Sequence, residues 1–131
     1  MKKRILVVDD EPDVNLALKE ALEENGLKVD AFNDSLLALE NFEAGSYDLL
    51  ILDIRMPKMN GFELYRHIKE KNPSMRIAFI TAFEINKEEF NKVMPSVNVT
   101  DFISKPLSVS SLITKLKSML ANYPESHATT L

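Results

Sequence analysis

The chain has 131 residues, 45% hydrophobic and 27% charged, a composition that supports one globular domain with a real core and excludes both a disordered chain and two ordinary domains. Its formal net charge of −4 argues against direct nucleic-acid binding, which needs Lys and Arg to neutralise phosphates. The lack of cysteine excludes disulfides and thiolate metal sites, no apolar run approaches the roughly 18 to 20 residues that span a bilayer, and nothing after Met1-Lys2-Lys3-Arg4 reads as an export signal, so a cytoplasmic protein away from the membrane is expected.

Residues 4–8 are a β-branched and leucine run that predicts a first strand, running into Asp9, Asp10 and Glu11. Pro12 and Asp13 then suit the first turn of a helix, because Pro is tolerated there and acids oppose the helix dipole. Val14, Leu18, Ala21 and Leu22 recur at helical spacing, and Asn25-Gly26 stops the run. Residues 28–32 predict a second strand. Asn33, Asp34 and Ser35 offer caps for a second helix through Phe42, with Gly45 beyond it.

Residues 49–57 read L-L-I-L-D-I-R-M-P: apolar residues run straight into Asp53 before Pro57 and Gly61 break the chain. Such a run predicts a third strand buried on both faces, with Asp53 where it emerges. Phe62, Leu64, Tyr65 and Ile68 mark a helix over 61–71, stopped by Asn72-Pro73. A fourth strand is predicted over 76–80, ending at Thr81-Ala82. Glu88 to Met94 suggest a short fourth helix, and Pro95 and Asn98 a turn. Residues 101–104 predict a fifth strand before Lys105-Pro106. Ser108 can cap a last, fifth helix with a stripe of Leu112, Ile113, Leu116, Met119 and Leu120. The expected organisation is one domain over 1–121, followed by a tail or the start of a linker over 122–131.

Strands alternating with helices imply a parallel sheet covered on both faces. The expected fold is α/β, a flavodoxin-like doubly wound (βα)5 sandwich with strand order 2-1-3-4-5. Its binding crevice lies beyond the carboxyl ends of the strands, where the order reverses between strands one and three. Asp9 and Asp10, Asp53, Thr81 and Lys105 all fall at strand ends on that edge. Clustered carboxylates repel one another and call for a cation. Oxygen donors without Cys or His suit a hard ion that keeps some of its waters, namely Mg2+, for which Mn2+ would substitute. A carboxylate beside such an ion can accept a phosphoryl group.

V-V-D-D-E-P (7–12), L-D-I-R-M-P-K-M-N-G (52–61), I-T-A (80–82) and D-F-I-S-K-P (101–106) together resemble the receiver domain of two-component response regulators, the CheY-like fold. The resemblance implies that Asp53 takes a phosphoryl group from the phosphohistidine of a sensor histidine kinase or a histidine phosphotransfer protein. It further implies Mg2+ held directly by Asp10, Asp53 and the backbone carbonyl of Arg55, with Asp9 acting mostly through water. Thr81 and Lys105 would contact the phosphoryl oxygens, Thr81 and Phe102 would form the switch, and the bond to Pro106 would be cis. Such a domain is no enzyme toward other molecules and catalyses only its own phosphorylation and dephosphorylation. Its output would pass to a downstream protein or effector domain through helix four, strand five and helix five, with homodimerisation on phosphorylation.

The chain departs from the family pattern in a longer segment between Thr81 and Lys105, in Asn98-Val99 before the fifth strand, and in Phe102, which lacks a hydroxyl. Two other readings compete. A HAD-like aspartate-nucleophile phosphohydrolase also uses a strand ending in Asp, but its second acid would fall at Arg55. A docking module working without phosphorylation would not need the intact set of Asp9, Asp10, Asp53, Thr81 and Lys105. His67 and His127 read as solvated surface residues, and Met56 and Met59 as loop packing.

Overall fold

The computed structural model describes residues 3–81, 102–104 and 109–121. Five parallel strands, β1 (Arg4–Val8), β2 (Lys28–Phe32), β3 (Leu49–Asp53), β4 (Ile77–Thr81) and β5 (Phe102–Ser104), form one sheet in the order β2-β1-β3-β4-β5. Among the described residues the helices are α1 (Pro12–Glu24), α2 (Ser35–Asn41), α3 (Gly61–Lys71) and α4 (Val109–Ala121), the last being the predicted fifth helix. The predicted short helix over 88–94 lies outside the described residues. This is the expected flavodoxin-like sandwich, with its strand order reversing between β1 and β3.

Alternation along each strand divides the core into two layers, because successive side chains of a strand point to opposite faces. Leu6 and Val8, Leu50 and Leu52, and Ile77 and Phe79 face one way, where they pack with Ala38, Leu64 and Ile68 of α2 and α3. Ile5 and Val7, Leu49 and Ile51, and Ala78 and Ile80 face the other, against Leu18, Leu22, Leu112 and Ile113 of α1 and α4. Every residue of β3 is buried, the pattern expected of a central parallel strand. Full burial of each such aliphatic side chain stabilises the fold by about 1.5–3 kcal/mol, which holds the strand rigid behind Asp53.

The ends of the helices follow their cap chemistry. Asp34 accepts from the Leu36 and Leu37 amides and caps α2, which closes at Asn41 with Phe42 already extended. Asn60 and Glu63 form a reciprocal capping box at α3. Glu11 caps α1 without a side-chain bond, and Pro12 opens the helix where a missing N–H costs nothing. β4 runs one residue later than predicted, from Ile77 through Thr81. Arg76 still contributes its carbonyl to the Leu50 amide at 2.9 Å, but strand pairing begins at Ile77 opposite Leu50.

Candidate functional site

The parallel register decides where the acids meet. Val8 of β1 pairs with Leu52 of β3, so the residues that follow them, Asp9 just beyond β1 and Asp53 closing β3, come side by side at the carboxyl edge of the sheet. Asp10 follows at once from β1. The three offer carboxylate oxygens that lie within 4.8 Å of one another. Asp9 is 1% exposed and Asp53 6%, while Asp10 faces solvent. At that spacing each ionised pair repels by roughly 0.9 kcal/mol in water and about 3.5 kcal/mol at an effective dielectric of 20. An oxygen-only donor set with one exposed member fits a hard divalent ion that keeps part of its water shell.

Both sides of the cluster are braced. Asp9 donates its amide to the Phe32 carbonyl at 3.2 Å and accepts from the Glu11 amide on Oδ1 at 2.9 Å. The side-chain amide of Asn15 donates to the Asp9 carbonyl at 2.8 Å and to the Phe32 carbonyl at 3.0 Å. On the β3 side, the Ile54 amide reaches the Ile80 carbonyl at 3.1 Å, and Gly61 donates to the Ile54 carbonyl at 2.8 Å. The loop between them holds Lys58 at a φ of 69°, in the left-handed region. Lys58 Nζ lies 3.7 Å from Asp34 Oδ2, and Met56 is buried with Ile54 in the core while Met59 packs against it. Gly61 itself sits against the end of β3: a Cβ there would strike the Asp53 carbonyl and come within 3.0 Å of Ile54 Cα.

Of the residues singled out in the sequence, the structure brings Asp9, Asp10 and Asp53 together and sets Arg55 two residues beyond Asp53, exposed. Thr81 closes β4, and Phe102 opens β5 opposite Phe79; the positions of their side chains are not described. Lys105 and Pro106 lie outside the described residues, as does His127. His67 is exposed on α3. Asn15 was not among the predicted site residues. Its signal was present, since it occupies the buried stripe of α1 one turn before Leu18, where an amide is out of place unless it has partners.

The receiver-domain model of response regulators matches residues 5–117. The chain belongs to the response regulator receiver domain family. Among relatives, it is 34% identical to the response regulator receiver protein CpdR of Brucella abortus over 90% of this chain and 97% of that one. It is 33% identical to the alkaline phosphatase synthesis transcriptional regulatory protein PhoP of Bacillus subtilis over 92% of this chain. There it spans about half, 49%, of the relative's length. Among solved structures, the BeF3-activated receiver domain of DrrB, a Thermotoga maritima protein, superposes with a TM-score of 0.78 at 25% identity, covering 93% of this chain and 100% of that one. The HAD-like alternative falls with this membership, as Arg55 at the second acid position already suggested.

Proposed function

We propose that this receiver is a phosphoryl-accepting switch whose acceptor is Asp53. The observation that carries the reading is the convergence of Asp9, Asp10 and Asp53 at the carboxyl ends of adjacent buried strands. Asp10, Asp53 and the Arg55 carbonyl would hold Mg2+, with Asp9 acting mostly through water. When bound, that ion offsets the negative charge gathered by carboxylates and phosphoryl oxygens. An Asp53 carboxylate oxygen attacks phosphorus in line with the departing phosphohistidine nitrogen. The O–P bond forms as the P–N bond breaks, and the imidazole keeps the electron pair. The donor is a sensor histidine kinase or a histidine phosphotransfer protein. Burial of β3 gives Asp53 a fixed position, which limits the motion lost on reaching the in-line geometry.

Thr81 and Lys105 are the residues assigned to the phosphoryl oxygens, and Phe102 to the packing switch, on the strength of the family motifs they occupy. The same reading takes 1–121 as the receiver and 122–131 as a tail or linker start. Output passes through the segment before β5, β5 itself and α4, to a partner protein or effector domain, with homodimerisation as one form of docking. The chain modifies only itself. Leu16, Leu36 and Leu37 are exposed, and Leu16 and Leu37 line a shallow hollow with Pro12, Ala31 and Phe32 near the acid end of the sheet. This apolar surface supports contact with the phosphoryl donor there. No helix among the described residues is long and apolar enough to cross a membrane.

The deciding experiment is intact mass spectrometry after treatment with Mg2+ and acetyl phosphate, or with beryllofluoride. Wild type is expected to gain the adduct and Asp53→Asn to gain none. An adduct that persists in Asp53→Asn would remove the assignment. A wild type that stays unmodified yet still binds its partner would favour a docking module that works without phosphorylation.

A further inference from the structure

Asn15 stands where the sandwich would most cheaply have put an aliphatic residue. It is 7% exposed, and with Leu18 and Leu22 it makes up the buried face of α1. Its Oδ1 is buried and accepts no hydrogen bond from the described residues, a cost that leucine would avoid. In return, its amide nitrogen uses both of its hydrogens, one on the Asp9 carbonyl and one on the Phe32 carbonyl. Asp9 is the first residue beyond the last β1–β2 pair, Val8 and Phe32. Its own amide already reaches the Phe32 carbonyl. Asn15 therefore closes the second side of the Asp9 peptide and ties the free end of β1 to the end of β2. With the main chain held on both sides and Oδ1 held by the Glu11 amide, little beyond side-chain torsion is left to the Asp9 carboxylate.

We propose that Asn15 is a positioning residue for the divalent-ion site, acting through the main chain of Asp9. The proposal rests on the reading of Asp9, Asp10 and Asp53 as the Mg2+ ligands. Groups that orient metal-binding side chains from behind typically change affinity by about 10- to 100-fold when removed. The lower end applies here, since Asp9 acts mostly through water.

The test uses Mn2+ alone as the probe, titrated against the full chain and followed by the electron paramagnetic resonance of the free ion. Asn15→Leu keeps the size of the side chain and removes the donor. Leu18→Ala, one turn along the same face, is the matched change of core packing. The expected result is a Mn2+ dissociation constant raised about tenfold by Asn15→Leu, with no such rise in Leu18→Ala although it melts at a lower temperature. In metal-free protein, the Asp9 amide should also exchange its hydrogen faster in Asn15→Leu than in wild type. Should Asn15→Leu fail to fold, Asn15→Ala supplies the same comparison. A folded Asn15 variant that binds Mn2+ as wild type does, or a Leu18→Ala that weakens binding equally, overturns the role of Asn15 and leaves the metal site standing. A wild type that binds no Mn2+ overturns the metal site and this inference with it.

Discussion

Replacing Gly61 by alanine places a single methyl group against the main chain that carries Asp53. The new Cβ would strike the Asp53 carbonyl oxygen and lie 3.0 Å from both the Asp53 carbonyl carbon and Ile54 Cα. These are backbone atoms, so no flexible side-chain end can swing away. Either the start of α3 or the end of β3 must move by several tenths of an ångström, and β3 is buried along its whole length. Overpacking of this kind costs about 1–3 kcal/mol, offset by up to roughly 1 kcal/mol because alanine is the better helix former. The net destabilisation, about 1–2 kcal/mol, corresponds to a fall in Tm on the order of 5 °C for a domain of this size. The displaced carbonyl belongs to the proposed acceptor, so the rate of Asp53 modification by acetyl phosphate should fall on the order of tenfold or more. Circular dichroism melts in EDTA and timed mass spectrometry measure the two effects. An alanine variant that melts no lower than wild type and is modified at the wild-type rate would refute the steric argument.

Removing one charge from the acid cluster should stabilise the metal-free protein. Asp10→Asn relieves repulsion of roughly 1 kcal/mol or more, so it should melt above wild type in EDTA and gain less from added Mg2+; a lower melting point in EDTA would contradict the electrostatics. Asp34→Ala removes the bonds to the Leu36 and Leu37 amides and should lower the midpoint of urea unfolding through loss of the α2 cap, with only a minor share from the exposed pair with Lys58; an unchanged midpoint would contradict the cap. The Tyr47 hydroxyl, donating to Asp30 at 2.7 Å, holds the Asp30 carboxyl below its ordinary 3.8, with burial opposing and Arg4 assisting. The native state then binds fewer protons than the unfolded one. That stability is complete above about pH 4 and is lost as pH falls through the depressed value, so Tyr47→Phe should flatten the acid limb of unfolding free energy against pH. Burial first, and Asp30 second, push the Tyr47 phenol up to about 12. Its contribution is complete below the ordinary value of 10.0 and lost as pH rises toward 12, so Asp30→Asn, which leaves the larger effect of burial in place, should flatten the alkaline limb only in part. Unchanged slopes in both variants would show that this contact carries no linkage.

Much of the fold was legible because each element announced itself locally. The runs at 4–8, 28–32 and 49–53 are strands over those same residues, and Asn60 and Gly61 start α3 where expected. The one-residue offset of β4 arose because its boundary is set by pairing with β3, and no local property of Arg76 or Thr81 reports that. The acids of the site were legible too, as charges ending apolar runs. The braces were not. Asn15 looks like a polar interruption of a helical stripe until the carbonyls of Asp9 and Phe32 are seen beside it, and Gly61 looks like a simple helix start until its contact with Asp53 appears.

By itself the sequence determined the alternation of strands and helices, the lack of cysteine and of any apolar run long enough for a membrane-spanning helix, and the carboxylates that end the apolar runs. It did so because periodicity, turn residues and side-chain type are local properties. Tertiary structure alone decided that Val8 pairs with Leu52, and therefore that Asp9 and Asp53 emerge together with their oxygens a few ångströms apart. A slip of one residue would send every side chain of the strand to the opposite face. That register is held by the two core layers packing on both faces of the sheet at once.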